Sequence, residues 1–394
     1  MAGRNCLNVS PFPEVILTDE ARSQLAQISN ELVMAKFAEA QAHNFGKDVD
    51  HSQWRLFRKD GNTAFYLERN QFHGEPKLPT TLMVGSLPGS LDENMFGFVS
   101  PTIEATRIKT SYLNDFDEAA VLATIVEPTL EEPFHSIVVK WIEIDIPGAT
   151  IGLVRNRDYV VLESSGIIRL ENGGRVGYHL IHSVNFPQTH ELPKRVRGNM
   201  SFCGLFCQRT PDITDCRGTG IMDPSGDVIH PFGVMGMAQA LMAGLKYSYC
   251  GQMKKLAWLV EQKHSEAKAH ALLEVKPLCV LCQQKTRAQT FGIPRRTCKL
   301  CFGTLCFTCA ITKKLSFITA DLDLVQRRMN FCAKCLIQAT HFDTIEAARV
   351  QFVYKRAVPS SIYKSSAQLS NESELSDDIS WPNSNKQDIA FIIQ

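Results

Sequence analysis

The chain has 394 residues, a formal net charge of +1 and 44% apolar residues. These values suit a soluble protein of two or three domains and exclude a strongly basic nucleic-acid-binding chain. Met1 to Pro13 lacks a basic segment followed by an apolar core, and no uncharged apolar stretch has the length to cross a bilayer. A cytoplasmic protein is expected, with any membrane contact peripheral.

Residues 1–17 read as an N-terminal extension. A helix is then predicted from Thr18 to about His43, because Leu25, Ile28, Leu32, Ala35 and Ala38 recur at helical steps. Thr18 or Asp19 is the expected cap. Strands are predicted over 54–57, 63–69, 105–110, 136–145, 158–163, 177–185 and 200–209. Turn signals such as Asp60-Gly61, Gly173-Gly174 and Asp223-Pro224-Ser225-Gly226 separate many of them. One last long helix is predicted from about Pro231 to Lys268, with Val234, Ala238, Leu241, Leu245, Tyr249, Met253, Leu256 and Val260 on one face. Helix, many strands, then a long amphipathic helix describes an α+β domain over 18–268, in which a curved antiparallel sheet grips the final helix.

Four C-x2-C pairs follow: Cys279/Cys282, Cys298/Cys301, Cys306/Cys309 and Cys332/Cys335. A two-residue gap lets one tight turn aim both thiolates at one metal, so eight sulfurs make two four-thiolate sites, and two Zn2+ ions are the expected cofactors. Only four residues separate the second pair from the third. Pairs that close do not easily wrap one ion, which predicts an interleaved arrangement. The first zinc takes Cys279, Cys282, Cys306 and Cys309; the second takes Cys298, Cys301, Cys332 and Cys335. Nearby basic residues, among them Lys285, Arg327, Arg328 and Lys334, read either as compensation for thiolate charge or as a basic face for acidic head groups or nucleic acid. The other cysteines, Cys6, Cys203, Cys207, Cys216 and Cys250, read as free thiols in a reducing compartment. A closing helix is expected over 344–355, giving a zinc module of 274–356. Residues 359–394 turn to Ser, Asn, Asp and Glu and read as a disordered tail, with the apolar run Ile389 to Ile393 as a segment that docks on a partner.

In this cysteine spacing the chain resembles the FYVE zinc fingers, a family that binds phosphatidylinositol 3-phosphate on endosomal membranes. The family's R-[RK]-H-H-C-R-x-C-G signature falls on Pro294-Arg295-Arg296-Thr297-Cys298-Lys299-Leu300-Cys301-Phe302. Both histidines are missing, the glycine sits one residue late at Gly303, the W-x-x-D before the first cysteine is absent, and the final R-V-C reads Asn330-Phe331-Cys332. The resemblance carries over zinc binding but not the lipid specificity. It implies head-group contact by Arg295, Arg296 and Lys299, and membrane contact by Phe291 and Ile293. A RING finger shares the interleaved topology, but no histidine lies between Cys279 and Cys335.

Further back, 54–61 (Trp-Arg-Leu-Phe-Arg-Lys-Asp-Gly), Val138-Val139-Lys140-Trp141 and Asn156-Arg157-Asp158-Tyr159-Val160, followed by a terminal helix, resemble the START domain, whose helix-grip fold encloses a lipid-sized cavity. Some sterol-binding members have an arginine where this chain has Glu163. The resemblance implies lipid binding without chemistry, with Met237, Ala238, Leu241 and Leu245 as the gate of the cavity. No catalytic residues are expected: the chain has no G-x-S-x-G turn, P-loop or H-E-x-x-H site. The function expected is lipid binding or transfer, with the finger targeting the protein to endosomal or other internal membranes or to a protein partner. The alternatives are an interaction scaffold or a RING-like ubiquitin ligase, each with a vestigial cavity.

Overall fold

The computed structural model describes residues 10–46, 48–69, 80–116, 118–144, 155–226, 230–263, 278–286, 296–319 and 322–354. The chain divides into two compact units, Met1–Gly251 and Gln252–Gln394.

The first unit begins with α1 (Asp19–Ala42) and continues through β1 (Trp54–Asp60), β2 (Thr63–Glu68), β3 (Thr81–Pro88), α2 (Leu91–Phe98) and α3 (Ile103–Leu113). Next come β4 (Glu118–Val126), β5 (Ser136–Ile144), β6 (Asn156–Arg169), β7 (Arg175–Ser183), β8 (Arg195–Arg197), β9 (Asn199–Thr210) and β10 (Ile213–Asp223). The C-terminal helices are α4 (His230–Ala243) and α5 (Tyr247–Gln262), and the unit boundary falls inside α5. The strands form one sheet in the order β1-β2-β3-β10-β9-β7-β6-β5-β4, with the short β8 added in parallel to β6 and every other pairing antiparallel.

Period-2 alternation divides this sheet into two faces. Val139, Trp141, Val160 and Leu162 pack with Leu25 and Ala26 of α1. Further along the same helix, Val33 meets Leu180 and Cys203, and Phe37 meets Val176 and Leu205. The residues of opposite parity, including Lys140, Glu163, His179 and Phe202, therefore point to the other face. Strand β6 is buried almost end to end because both its faces are covered. The α1 cap is as predicted: the Thr18 side chain accepts a hydrogen bond from the Ala21 backbone at 3.2 Å.

Residues 105–110, predicted as a strand, lie instead within α3. Thr102 caps the helix by accepting from Ala105, and Asn114 closes it in the left-handed conformation; these end signals outweigh the β-branched Thr106, Ile108 and Thr110. The predicted single helix from Pro231 is two helices, broken by a 3-10 turn at Gly244–Lys246. The direction of α5 is set by close packing on α2: a Cβ on Gly97 would lie 1.9 Å from the Tyr247 carbonyl oxygen, and one on Gly251 would lie 2.1 Å from that of Glu93. Backbone cannot yield as a flexible side chain does. Gly97→Ala or Gly251→Ala is expected to cost at least about 1–3 kcal/mol, read as a fall in the chemical-denaturation midpoint of the full chain.

In the second unit a hairpin of β11 (Ile311–Ile318) and β12 (Leu324–Phe331) precedes α6 (Ala333–Thr340) and α7 (Thr344–Arg349), with one further helical turn over Val350–Tyr354. The predicted closing helix is thus present as α7 and that turn. Leu315, Phe331, Leu336 and Phe352 are buried. From the last part of α5, Lys255 directs its ammonium to the carbonyls of Thr340 at 3.1 Å and Phe342 at 3.4 Å, at the C-terminal end of α6.

Candidate functional site

Two clusters of thiols stand in the second unit. Cys279, Cys282, Cys306 and Cys309 form one and Cys298, Cys301, Cys332 and Cys335 the other, with all sulfurs of a cluster within 4.8 Å of one another. The first pair is thus grouped with the third and the second with the fourth. Two sulfur separations fall at 3.7 Å (Cys282 to Cys306) and 3.9 Å (Cys301 to Cys332). A disulfide needs about 2.05 Å, whereas a tetrahedron with metal–sulfur bonds of about 2.3 Å has edges near 3.8 Å. The donor set therefore fits a tetrahedral thiophilic ion. Local backbone supports it: the N–H groups of Cys309 and Cys335 each donate at 3.4 Å to the sulfur three residues earlier.

Each first-in-order hairpin turns sharply after its second cysteine, with Gln283 at φ 58° and Phe302 at φ 58°. That left-handed position is where the FYVE signature carries its glycine. The displaced Gly303 has its own reason: a Cβ there would lie 2.9 Å from the Val280 side chain, so the second turn packs against the first only because residue 303 has none.

Of the residues expected to meet a membrane, Phe291, Ile293 and Arg295 lie outside the described residues. Lys299 is exposed, and Arg296 is half-buried with its guanidinium 4.9 Å from the ring centroid of Phe307. Phe307 stands outside the residues expected from sequence to meet a membrane. It is 68% exposed, in the turn between Cys306 and Cys309, and nothing in its local pattern distinguishes it from a core residue.

The first unit contains a cavity between α4 and the sheet, with room for water-sized molecules of about 40 Å³. Phe202, Met222, Met237 and Leu241 supply apolar lining; Asp115, His179 and Tyr247 supply the polar part. Two of the four predicted gate residues, Met237 and Leu241, thus line it. Ala238 is buried and Leu245 half-buried in the 3-10 turn, and neither is among the lining residues. Helix α4 lies close to β10 here, since a Cβ on Gly220 would lie 2.8 Å from the Met237 sulfur, a flexible side-chain end that could shift.

Behind the polar lining lies a buried charge cluster that the sequence reading missed. Glu163 on β6 pairs with Lys140 on β5 and lies 3.6 Å from the Lys109 ammonium on α3 and 2.8 Å from His179 Nε2 on β7. Lys109 also pairs with Asp115 at 3.1 Å, and Lys140 donates to the Ser100 carbonyl at 2.6 Å. Burial would raise the Glu163 pKa, but Lys140, Lys109 and the hydrogen bond from His179 hold it well below the ordinary carboxylate value. Burial lowers Lys140 despite Glu163, and lowers His179 despite its hydrogen bond. For Lys109 burial acts downward, yet Asp115 and Glu163 leave it raised. The ionised members are therefore paired within the protein.

The Arg157-Asp158-Tyr159-Val160 run anchors the approach to α4. Arg157 donates to the carbonyls of Pro224 at 3.0 Å and Ser225 at 3.1 Å. On the other face, the buried Asp158 carboxylate accepts from Trp141 at 3.0 Å and Arg197 at 2.8 Å. No helix among the described residues is long and apolar enough to cross a membrane.

No protein-family model matches the sequence, and no curated protein matches it. Among solved structures the chain is similar to human StAR-related lipid transfer protein 5, at 18% identity and a TM-score of 0.41, covering 58% of this chain and 98% of that one. It is also similar to human STARD10, at 14% identity and a TM-score of 0.40, covering 58% and 82%. A STAR-related lipid transfer protein from Xanthomonas axonopodis matches at 15% identity and a TM-score of 0.36, covering 50% and 96%. At these scores the likeness adds nothing to what the sheet, helices and cavity of this chain display themselves.

Proposed function

We propose that this chain binds or transfers a lipid, taking it between α4 and the sheet, and that a two-zinc module targets it to a membrane surface or a protein partner. The observation that carries the reading is the cavity itself, an apolar space with a few convergent polar groups beneath a helix that ends at a 3-10 turn. Its present size admits a few water molecules rather than a lipid, so loading requires α4 to move outward. Arg157 at the start of that segment and the turn at Gly244–Lys246 are the two places where such motion is restrained or absorbed. The four-thiolate sites leave no open coordination position for water, so the role proposed is binding without chemistry. Zn2+ fits the donor set, and exposed Phe307 with Arg296 and Lys299 suits a peripheral contact with acidic head groups.

The small cavity is also the one observation that favours an interaction scaffold. Lipid extraction from donor vesicles separates the readings. Wild type is expected to remove lipid, and Ala240→Leu, which adds bulk to the lining, is expected to lower extraction with little change in thermal midpoint. Absence of extraction by the wild type favours the scaffold.

A further inference from the structure

We infer that the cavity selects an uncharged lipid carrying a free hydroxyl group, in preference to a phospholipid; this rests on the lipid-binding reading above. The polar lining is made of Asp115, His179 and Tyr247, while the cations Lys109 and Lys140 are not among the lining residues. His179 Nε2 lies 2.8 Å from Glu163, whose ionised carboxylate can only accept, so the ring proton is assigned to Nε2 and Nδ1 is left as an acceptor. The Tyr247 hydroxyl stands 3.5 Å from that Nδ1, at the outer limit of a hydrogen bond. Its proton is thus directed at His179 and its oxygen lone pairs remain for a ligand. Asp115, held by Lys109 at 3.1 Å and by the Thr110 hydroxyl at 3.0 Å, supplies further acceptor oxygens.

Acceptors facing an apolar space call for a donor on the ligand. A lipid hydroxyl donates one hydrogen bond and brings no charge. A phosphate brings an anion to a carboxylate, with both nearby lysines already paired to Asp115 and Glu163, and burying such an uncompensated charge is strongly unfavourable. The ammonium of a zwitterionic head group satisfies the acceptors, but its phosphate finds no cation among the described lining side chains.

The test uses the full chain and vesicles of dioleoylphosphatidylcholine doped with cholesterol, dioleoylglycerol or cholesterol methyl ether, with extracted lipid quantified by mass spectrometry. Cholesterol or dioleoylglycerol is expected to be enriched over phosphatidylcholine, and the two arms distinguish a sterol from an acylglycerol hydroxyl. If cholesterol is the lipid taken up, its methyl ether, which has no donor, should be extracted about tenfold less. Tyr247→Phe is expected to lower uptake of the hydroxyl lipid by about the same factor at an unchanged thermal midpoint. Preferential extraction of phosphatidylcholine overturns the inference while leaving lipid binding intact, as does a methyl ether taken up as well as cholesterol. Extraction of no lipid overturns both.

Discussion

Replacing Cys298 with serine should unfold the second unit and leave the first folded. Cys298 is fully buried, and its sulfur belongs to the cluster completed by Cys301, Cys332 and Cys335. Metal binding contributes roughly 10–16 kcal/mol to the folding of small zinc modules. A serine oxygen is a poor replacement for a thiolate at a soft, closed site. Hydrogen exchange of the full chain should show loss of protection across β11, β12 and α6, with β5 to β7 protected as before. Metal analysis of reduced wild-type protein should find two zinc ions per chain; one or none would reject the two-site assignment. A chelator should reproduce the exchange pattern of the variant.

Glu163→Gln should destabilise the first unit by about 3–5 kcal/mol, because it leaves two buried lysines facing an uncharged amide. Lys109 keeps Asp115, so most of the loss falls on Lys140. Removing both charges together, as Glu163→Leu with Lys140→Met, should cost clearly less than the two single changes summed. Equality of the double variant with that sum would show that the pair is not coupled. The pH dependence follows from the depressed carboxylate. Glu163 titrates well below 4.5 in the folded protein, so its contribution is complete above about 4.5 and is lost as pH falls through the folded-state value. Urea midpoints between pH 7 and pH 3 should therefore fall more steeply in the wild type than in Glu163→Gln.

Local pattern carried much of the architecture. Thr18 ahead of a helical repeat placed α1 within a residue of its observed start, because cap and periodicity act over one or two turns. The cysteine spacing carried the grouping of the sulfurs, since a four-residue link between the second and third pairs constrains which thiols converge. Several strands were legible only in part. Residues 81–88, 118–126 and 213–223 were not predicted as strands, nor 91–98 as a helix, because β3 and β4 are apolar without clear alternation and β10 carries Gly218 and Gly220. Residues 105–110 were misread because a short β-branched run has no period long enough to separate strand from helix.

Sequence by itself determined the paired thiols and the cap and start of the first helix, set by residues near one another in the chain; the buried side of that helix is Ser29, Val33, Phe37 and Ala40 rather than the predicted repeat, and α2 and α3 interrupt the predicted run of strands. Tertiary structure alone decided the break between α4 and α5, which depends on Gly97 and Gly251 letting two distant backbones touch. It alone assembled Lys109, Asp115, Lys140, Glu163, His179 and Tyr247, which come from separate elements. A lone lysine on a strand carries no sign of its partner; burial of both charges, through the pairing of β5 with β6 and the covering of that face, makes it part of a site.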